Sequence, residues 1–223
     1  MIKEVPHSEL AFAKTNGMEI AYDTFGSPDD PAILLIMGLG VQMVVWDELF
    51  CSQLAARGYR VIRFDNRDVG LSTKCNNTGA PYVAAMLEAS PAGNPMALAY
   101  TLSDMADDAI GLLDALTIDA AHVVGLSMGG MIGQIMAYRF PHRLKSFTSI
   151  MSTTGDPSLP PPSPEALAVL LVPIPTDLPA YVQGWLNVWR VLSRPRFPVE
   201  EALGRKRAQT SHQRGLNPHG FLR

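Results

Sequence analysis

Two short strand-like runs lie near the start of the chain, Leu10 to Lys14 and Met18 to Thr24, on either side of Asn16-Gly17. Asn-Gly between alternating segments is the strongest short-range hairpin signal, because both residues tolerate the positive φ of a tight turn. Pro31 then introduces Ala32-Ile33-Leu34-Leu35-Ile36, apolar at every position. A strand without alternation is buried on both faces, which predicts a parallel sheet. Trp46, Leu49, Phe50 and Leu54 fall on one side of a helix that Gly58 closes, and Arg60 to Phe64 reads as the next strand.

The pattern resumes at Thr101-Leu102-Ser103-Asp104, a capping-box signature. Behind it Leu102, Met105, Ala106, Ala109, Leu112, Leu113 and Leu116 recur at helical spacing, and Asp104, Asp107 and Asp108 suit the positive end of the helix dipole. Ala120 to Val124 predicts a strand, Gly130 to Phe140 a helix stopped by Pro141, and Leu144 to Met151 a further strand. Strands alternating with helices predict an α/β fold with a right-handed, mostly parallel sheet and helices on both faces. From Asp156 onward the composition changes. Eight prolines fall between Pro157 and Pro179, followed by two helix-like pieces. One carries Tyr181, Trp185, Leu186 and Trp189; the other runs from Val199 to Ala208. The expected division is residues 1–155 as a core and 156–223 as a partial helical lid, with a proline-rich linker bearing surface helices as the alternative.

The 223 residues fit one domain with a small appendage, and at 47% hydrophobic and 17% charged they can bury a sizeable core. A net charge of −3 gives no reason to expect nucleic acid or an anionic membrane as partner. No apolar run approaches the roughly 18 residues of a membrane span, and the first residues contain no apolar core of a secretory signal. Cys51 and Cys75 form neither a metal-ligand spacing nor a disulfide framework. A reducing cytoplasm is therefore the expected compartment, with no cofactor or metal.

The candidate chemistry lies between the Ala120 strand and the Gly130 helix, in Gly125-Leu126-Ser127-Met128-Gly129-Gly130. Strand, G-x-S-x-G and helix together are the context of a nucleophile elbow, in which a serine stands on a strained turn with its hydroxyl clear of the sheet. Ser127 is the expected nucleophile. An acyl-transfer serine needs donors where the oxyanion develops, and here these are the N–H of Met128 and an N–H from the loop Met37-Gly38-Leu39-Gly40, assigned to Leu39.

Met37-Gly38-Leu39-Gly40, Asp65-Asn66-Arg67-Asp68-Val69-Gly70-Leu71-Ser72 and the Gly125 to Gly130 elbow together resemble the α/β-hydrolase superfamily, and within it the esterases similar to aclacinomycin methylesterase. The resemblance is strong from Leu10 to Thr153 and loose beyond. Met37 stands where many members carry histidine. The Asp65 to Ser72 stretch is expected to be structural, a strand-to-loop turn pinned by charge pairs. Serine at the elbow implies an acyl-enzyme, so the expected substrates are small apolar esters, lactones or thioesters. Carbon–carbon hydrolysis and peracid formation stay open, as does a ligand-binding homologue without catalysis.

The triad order for this fold is Ser, then Asp or Glu, then His. The strands that should precede the acid and the histidine are not apparent. Val169 to Val172, with Asp177 as its acid, could imitate one, but the prolines before it oppose a crossover helix. Asp156, after the sixth strand, is the other acid candidate. His7, His122 and His142 read as structural; His212 and His219 have the right order but follow a basic helix-like segment. The resulting expectation is an amino-terminal part of an esterase, with the last strands absent and the acid and histidine beyond Arg223.

Overall fold

The computed structural model describes residues 5–75, 99–156, 158–170, 172–193, 200–218 and 220. The chain begins with a hairpin of β1 (Ala11–Thr15) and β2 (Met18–Phe25), followed by β3 (Ala32–Ile36), α1 (Glu48–Ala55) and β4 (Arg60–Phe64). After these come α2 (Leu102–Ala115), β5 (Ala121–Leu126), α3 (Met128–Arg139) and β6 (Leu144–Ile150). The six strands form one sheet in the order β1-β2-β4-β3-β5-β6. β2 runs antiparallel to both β1 and β4, and β4, β3, β5 and β6 are mutually parallel. Asn16 and Gly17 take φ of 48° and 72°, the doubly positive pattern of a two-residue hairpin turn.

β3 shows why its sequence lacks alternation. Leu34 and Ile36 face Leu112, Leu113 and Ile132 on the α2/α3 side, whereas Ile33 and Leu35 join Trp46, Cys51 and Val61 on the α1 side. Two buried ion pairs brace the sheet. Arg63 grips Asp23 with two hydrogen bonds of 2.8 Å and lies over the Phe25 ring. Arg67, just past β4, grips Asp108 on α2 with two of 2.7 Å. Burial opposes the Arg67 charge, but the hydrogen bonds and charge of Asp108 outweigh it and hold its pKa above the ordinary arginine value. The predicted capping box forms, with Thr101 and Asp104 exchanging their bonds at the start of α2. β6 is the sheet's last strand among the described residues, and its Lys145, Ser146, Thr148 and Ser149 are exposed.

A second compact unit comprises Gly155–Pro218 and holds α4 (Pro164–Leu170), α5 (Leu178–Leu192) and α6 (Glu201–Arg214). Two helix-like pieces are expected from the sequence, and three helices are present among the described residues. The additional helix starts on Pro164 and runs through Val169, so that stretch is helical and not strand-like. Proline is tolerated at a helix start because its missing N–H would have no intrahelical acceptor there. Val182, Leu186 and Ala208 form this unit's own small core, against which Tyr181 and Trp185 pack. Among the described residues no helix is long and apolar enough to cross a membrane, and no group of three or more His, Cys, Asp or Glu side chains could hold a metal.

Candidate active site

β5 delivers Ser127 to the carboxyl end of the sheet, and α3 begins at the next residue. Ser127 has φ 56° and ψ −120°, a conformation that costs a non-glycine residue about 1–3 kcal/mol. The surrounding backbone holds it there. The Ser127 N–H donates to the Ile150 carbonyl at 2.8 Å, and its own carbonyl accepts from the Gly130 N–H at 2.9 Å. The hydroxyl makes no capping bond to α3. The two glycines of the motif are required by close approach. A Cβ on Gly125 would lie 2.2 Å from the Gly129 carbonyl oxygen, and one on Gly129 would lie 2.2 Å from the Ile36 carbonyl oxygen. The first turn of α3 therefore rests directly on the end of β3.

The loop leaving β3 lies beside the serine. Parallel pairing sets Ile36 opposite Gly125, so the chain passes Ser127 two residues later. A Cβ on Gly38 would stand 3.1 Å from the Ser127 Cβ and 3.6 Å from its Oγ. The Val41 N–H closes a turn onto the Gly38 carbonyl at 3.3 Å, with Gly40 at φ 67°. The Leu39 side chain is exposed. Met128 is the first residue of α3, where N–H groups have no intrahelical acceptor and the helix dipole favours negative charge. The expected nucleophile, the Gly38 loop and the start of α3 thus come together at the carboxyl end of the sheet.

The Asp65 to Ser72 stretch does the structural work expected of it. The Asp65 carboxylate accepts the Met43 N–H at 2.8 Å and the Leu71 N–H at 2.9 Å. Its neighbour Asn66 does something the sequence reading did not separate from that role. The Asn66 side-chain amide donates to the Met37 carbonyl at 3.0 Å, at the base of the loop beside Ser127. Its position just past a buried strand adjacent to β3 was the signal available for it.

Among the described residues, the three histidines of the sheet-bearing unit lie away from Ser127. His122 is five residues back along β5, about 16 Å at strand rise, and bonds Ser146 Oγ through Nδ1. His142 follows α3, whose 12 residues carry the chain about 18 Å from the elbow. His7 stacks on Phe25 and contacts Asp23 at 3.1 Å. Phe25 pairs with Val61, at the amino end of the parallel strands. Asp156, Asp177 and His212 belong to the second unit and have local partners there. Asp156 is fully exposed, and hydrogen bonds from the Ser158 N–H and hydroxyl hold its carboxyl below the usual range. Asp177 caps α5 by accepting the Ala180 N–H at 3.0 Å. His212 Nε2 lies 2.8 Å from the Thr176 carbonyl, and His219 lies outside the described residues.

A serine in a strained strand-to-helix turn, faced by a glycine loop from the adjacent parallel strand, is the nucleophile-elbow arrangement. The chain belongs to the α/β-hydrolase fold family, whose model matches residues 31–206. It is 32% identical over 181 residues to rhodomycin D methylesterase DnrP of Streptomyces peucetius, covering 81% of this chain and 54% of that protein. The DauP enzyme of the same name from Streptomyces sp. (strain C5) matches at the same identity and coverage. The chain thus spans about half the length of these curated relatives. Among solved structures, a hydrolase from Pseudomonas aeruginosa PA01 superposes with a TM-score of 0.59 at 25% identity, covering 96% of this chain and 70% of that one. The meta-cleavage product hydrolase of Pseudomonas fluorescens IP01 shares the fold, with a TM-score of 0.67 at 21% identity over 95% of this chain and 66% of that one.

Proposed function

We propose that the protein is a carboxylic ester hydrolase acting on small apolar esters through an acyl-enzyme on Ser127. The Ser127 hydroxyl loses its proton to a general base as Oγ bonds to the ester carbonyl carbon. The oxyanion is held by the N–H groups of Leu39 and Met128. The alcohol leaves with a proton, and water then cleaves the acyl-serine bond to give the acid and restore the hydroxyl. The observation that carries this reading is the strained Ser127 backbone with Gly38 packed against its side chain. The relatives named as methylesterases support ester hydrolysis over the carbon–carbon and peracid alternatives. His7, His122 and His142 are displaced from the elbow, so none of these three is the general base in this reading.

Labelling with a fluorophosphonate followed by peptide mass spectrometry tests the assignment. The adduct is expected on Ser127 and should vanish in Ser127→Ala. An adduct that survives that substitution would refute Ser127 as the nucleophile.

A further inference from the structure

Asn66 is buried at the carboxyl end of β4, the strand beside β3, and its amide reaches across to the Met37 carbonyl at 3.0 Å. We propose that Asn66 is a positioning residue for the oxyanion hole, fixing the Met37–Gly38 peptide so that the Leu39 N–H is aimed at the carbonyl under attack by Ser127. The inference rests on the ester-hydrolase reading of Ser127.

The peptide unit is planar and trans, so a pinned carbonyl also fixes the direction of the N–H on its far side. Two carbonyls are pinned in this loop. Asn66 holds that of Met37, and the Val41 N–H holds that of Gly38. The second bond draws the Gly38 oxygen into the turn and therefore sends the Leu39 N–H out of it. The first bond stops the whole turn from rotating about Met37. A glycine follows Met37, so the backbone itself gives the loop little resistance to such a rotation. Met37 lies one residue beyond β3, and there a side chain supplies its carbonyl with a donor.

The surroundings make the pin rigid. The Asn66 carbonyl accepts the Val69 N–H at 3.0 Å, and the adjacent Asp65 carboxylate ties Met43 and Leu71 to the same turn. On its other side the Met37 oxygen faces α3, since a Cβ on Gly129 would lie 2.9 Å from it. The carbonyl is thus enclosed by the Asn66 amide and the helix that begins at the nucleophile. A donor aimed before the reaction starts is what makes an oxyanion hole effective, because no reorganisation is then needed in the transition state.

The test compares wild type with Asn66→Asp, which keeps the shape but loses the donor, and with Asn66→Leu. The full 223-residue chain is reacted with a fluorophosphonate, and kinact and KI are measured separately. The expected result is a fall in kinact of about 10- to 100-fold with KI unchanged, from a misaimed oxyanion donor. A role confined to folding would lower the fraction of protein that labels and leave kinact of that fraction at the wild-type value. That outcome, in both variants, would overturn the positioning role while leaving Ser127 as nucleophile. No labelling of wild type would overturn both readings together.

Discussion

The contact between Gly129 and the Ile36 carbonyl gives a quantitative handle on the site. In Gly129→Ala the new methyl would lie 2.2 Å from a backbone oxygen that has no side-chain freedom to yield. Carbon–oxygen contacts settle near 3.3 Å, so the first turn of α3 has to retreat by about 1 Å. Overpacking of this kind costs about 1–3 kcal/mol of stability. The retreat also carries Ser127 and the Met128 N–H away from the Gly38 loop, and a 1 Å misplacement of reacting groups is worth about 100-fold in rate. The assay is the fluorophosphonate kinact together with urea unfolding of the same protein. Gly58→Ala serves as control, since its Cβ would meet nothing within 4 Å although its φ is 84°. That variant is expected to lose stability and keep the labelling rate. If Gly129→Ala labels within about threefold of wild type, the strand end and the helix start are not in rigid register, and the argument from close packing fails.

The Arg67–Asp108 pair should be expensive to halve and cheap to delete. Arg67→Met leaves the buried Asp108 carboxylate without its guanidinium and is expected to cost about 3–5 kcal/mol in urea unfolding, whereas Arg67→Met combined with Asp108→Leu should cost less than the single change. Burial already raises the Asp108 carboxyl above its ordinary value, and losing Arg67 adds to the raise. The folded variant then retains a proton the unfolded chain has lost, so its deficit should shrink as pH falls toward the ordinary aspartate range; an additive double variant with a pH-independent deficit would refute this. Burial also pushes the Cys51 thiol up to about 12 from 9.0. In that window the unfolded chain ionises first, so stability should decline from about pH 9 upward, less steeply in Cys51→Val, and native alkylation should reach Cys75 but not Cys51.

The sequence was most readable where burial is complete. β3 was bounded correctly by its unbroken apolar run, β4 was placed correctly at Arg60 to Phe64, and the Thr101–Asp104 box marked the start of α2 to the residue. Segments that meet the active site were placed less well. The α3 pattern suggested a start at Gly130, but the helix begins at Met128 because the strained turn is compressed into Ser127 alone. Asp108 looked like a dipole-complementing acid and is instead the buried partner of Arg67, a pairing 41 residues apart that no local pattern encodes. The same limit applies to Asn66, whose partner Met37 follows another strand, 29 residues earlier. Proline density suggested an irregular region after Asp156, yet Pro164 opens a helix.

The conformation of Ser127 has an evolutionary consequence. At φ 56° a glycine would relieve the strain, so the side chain at the centre of the site is held there against the folding free energy of its own chain. A library of this protein screened only for solubility or thermal resistance should drift toward glycine at that position, and the most robust members recovered would be those with no nucleophile.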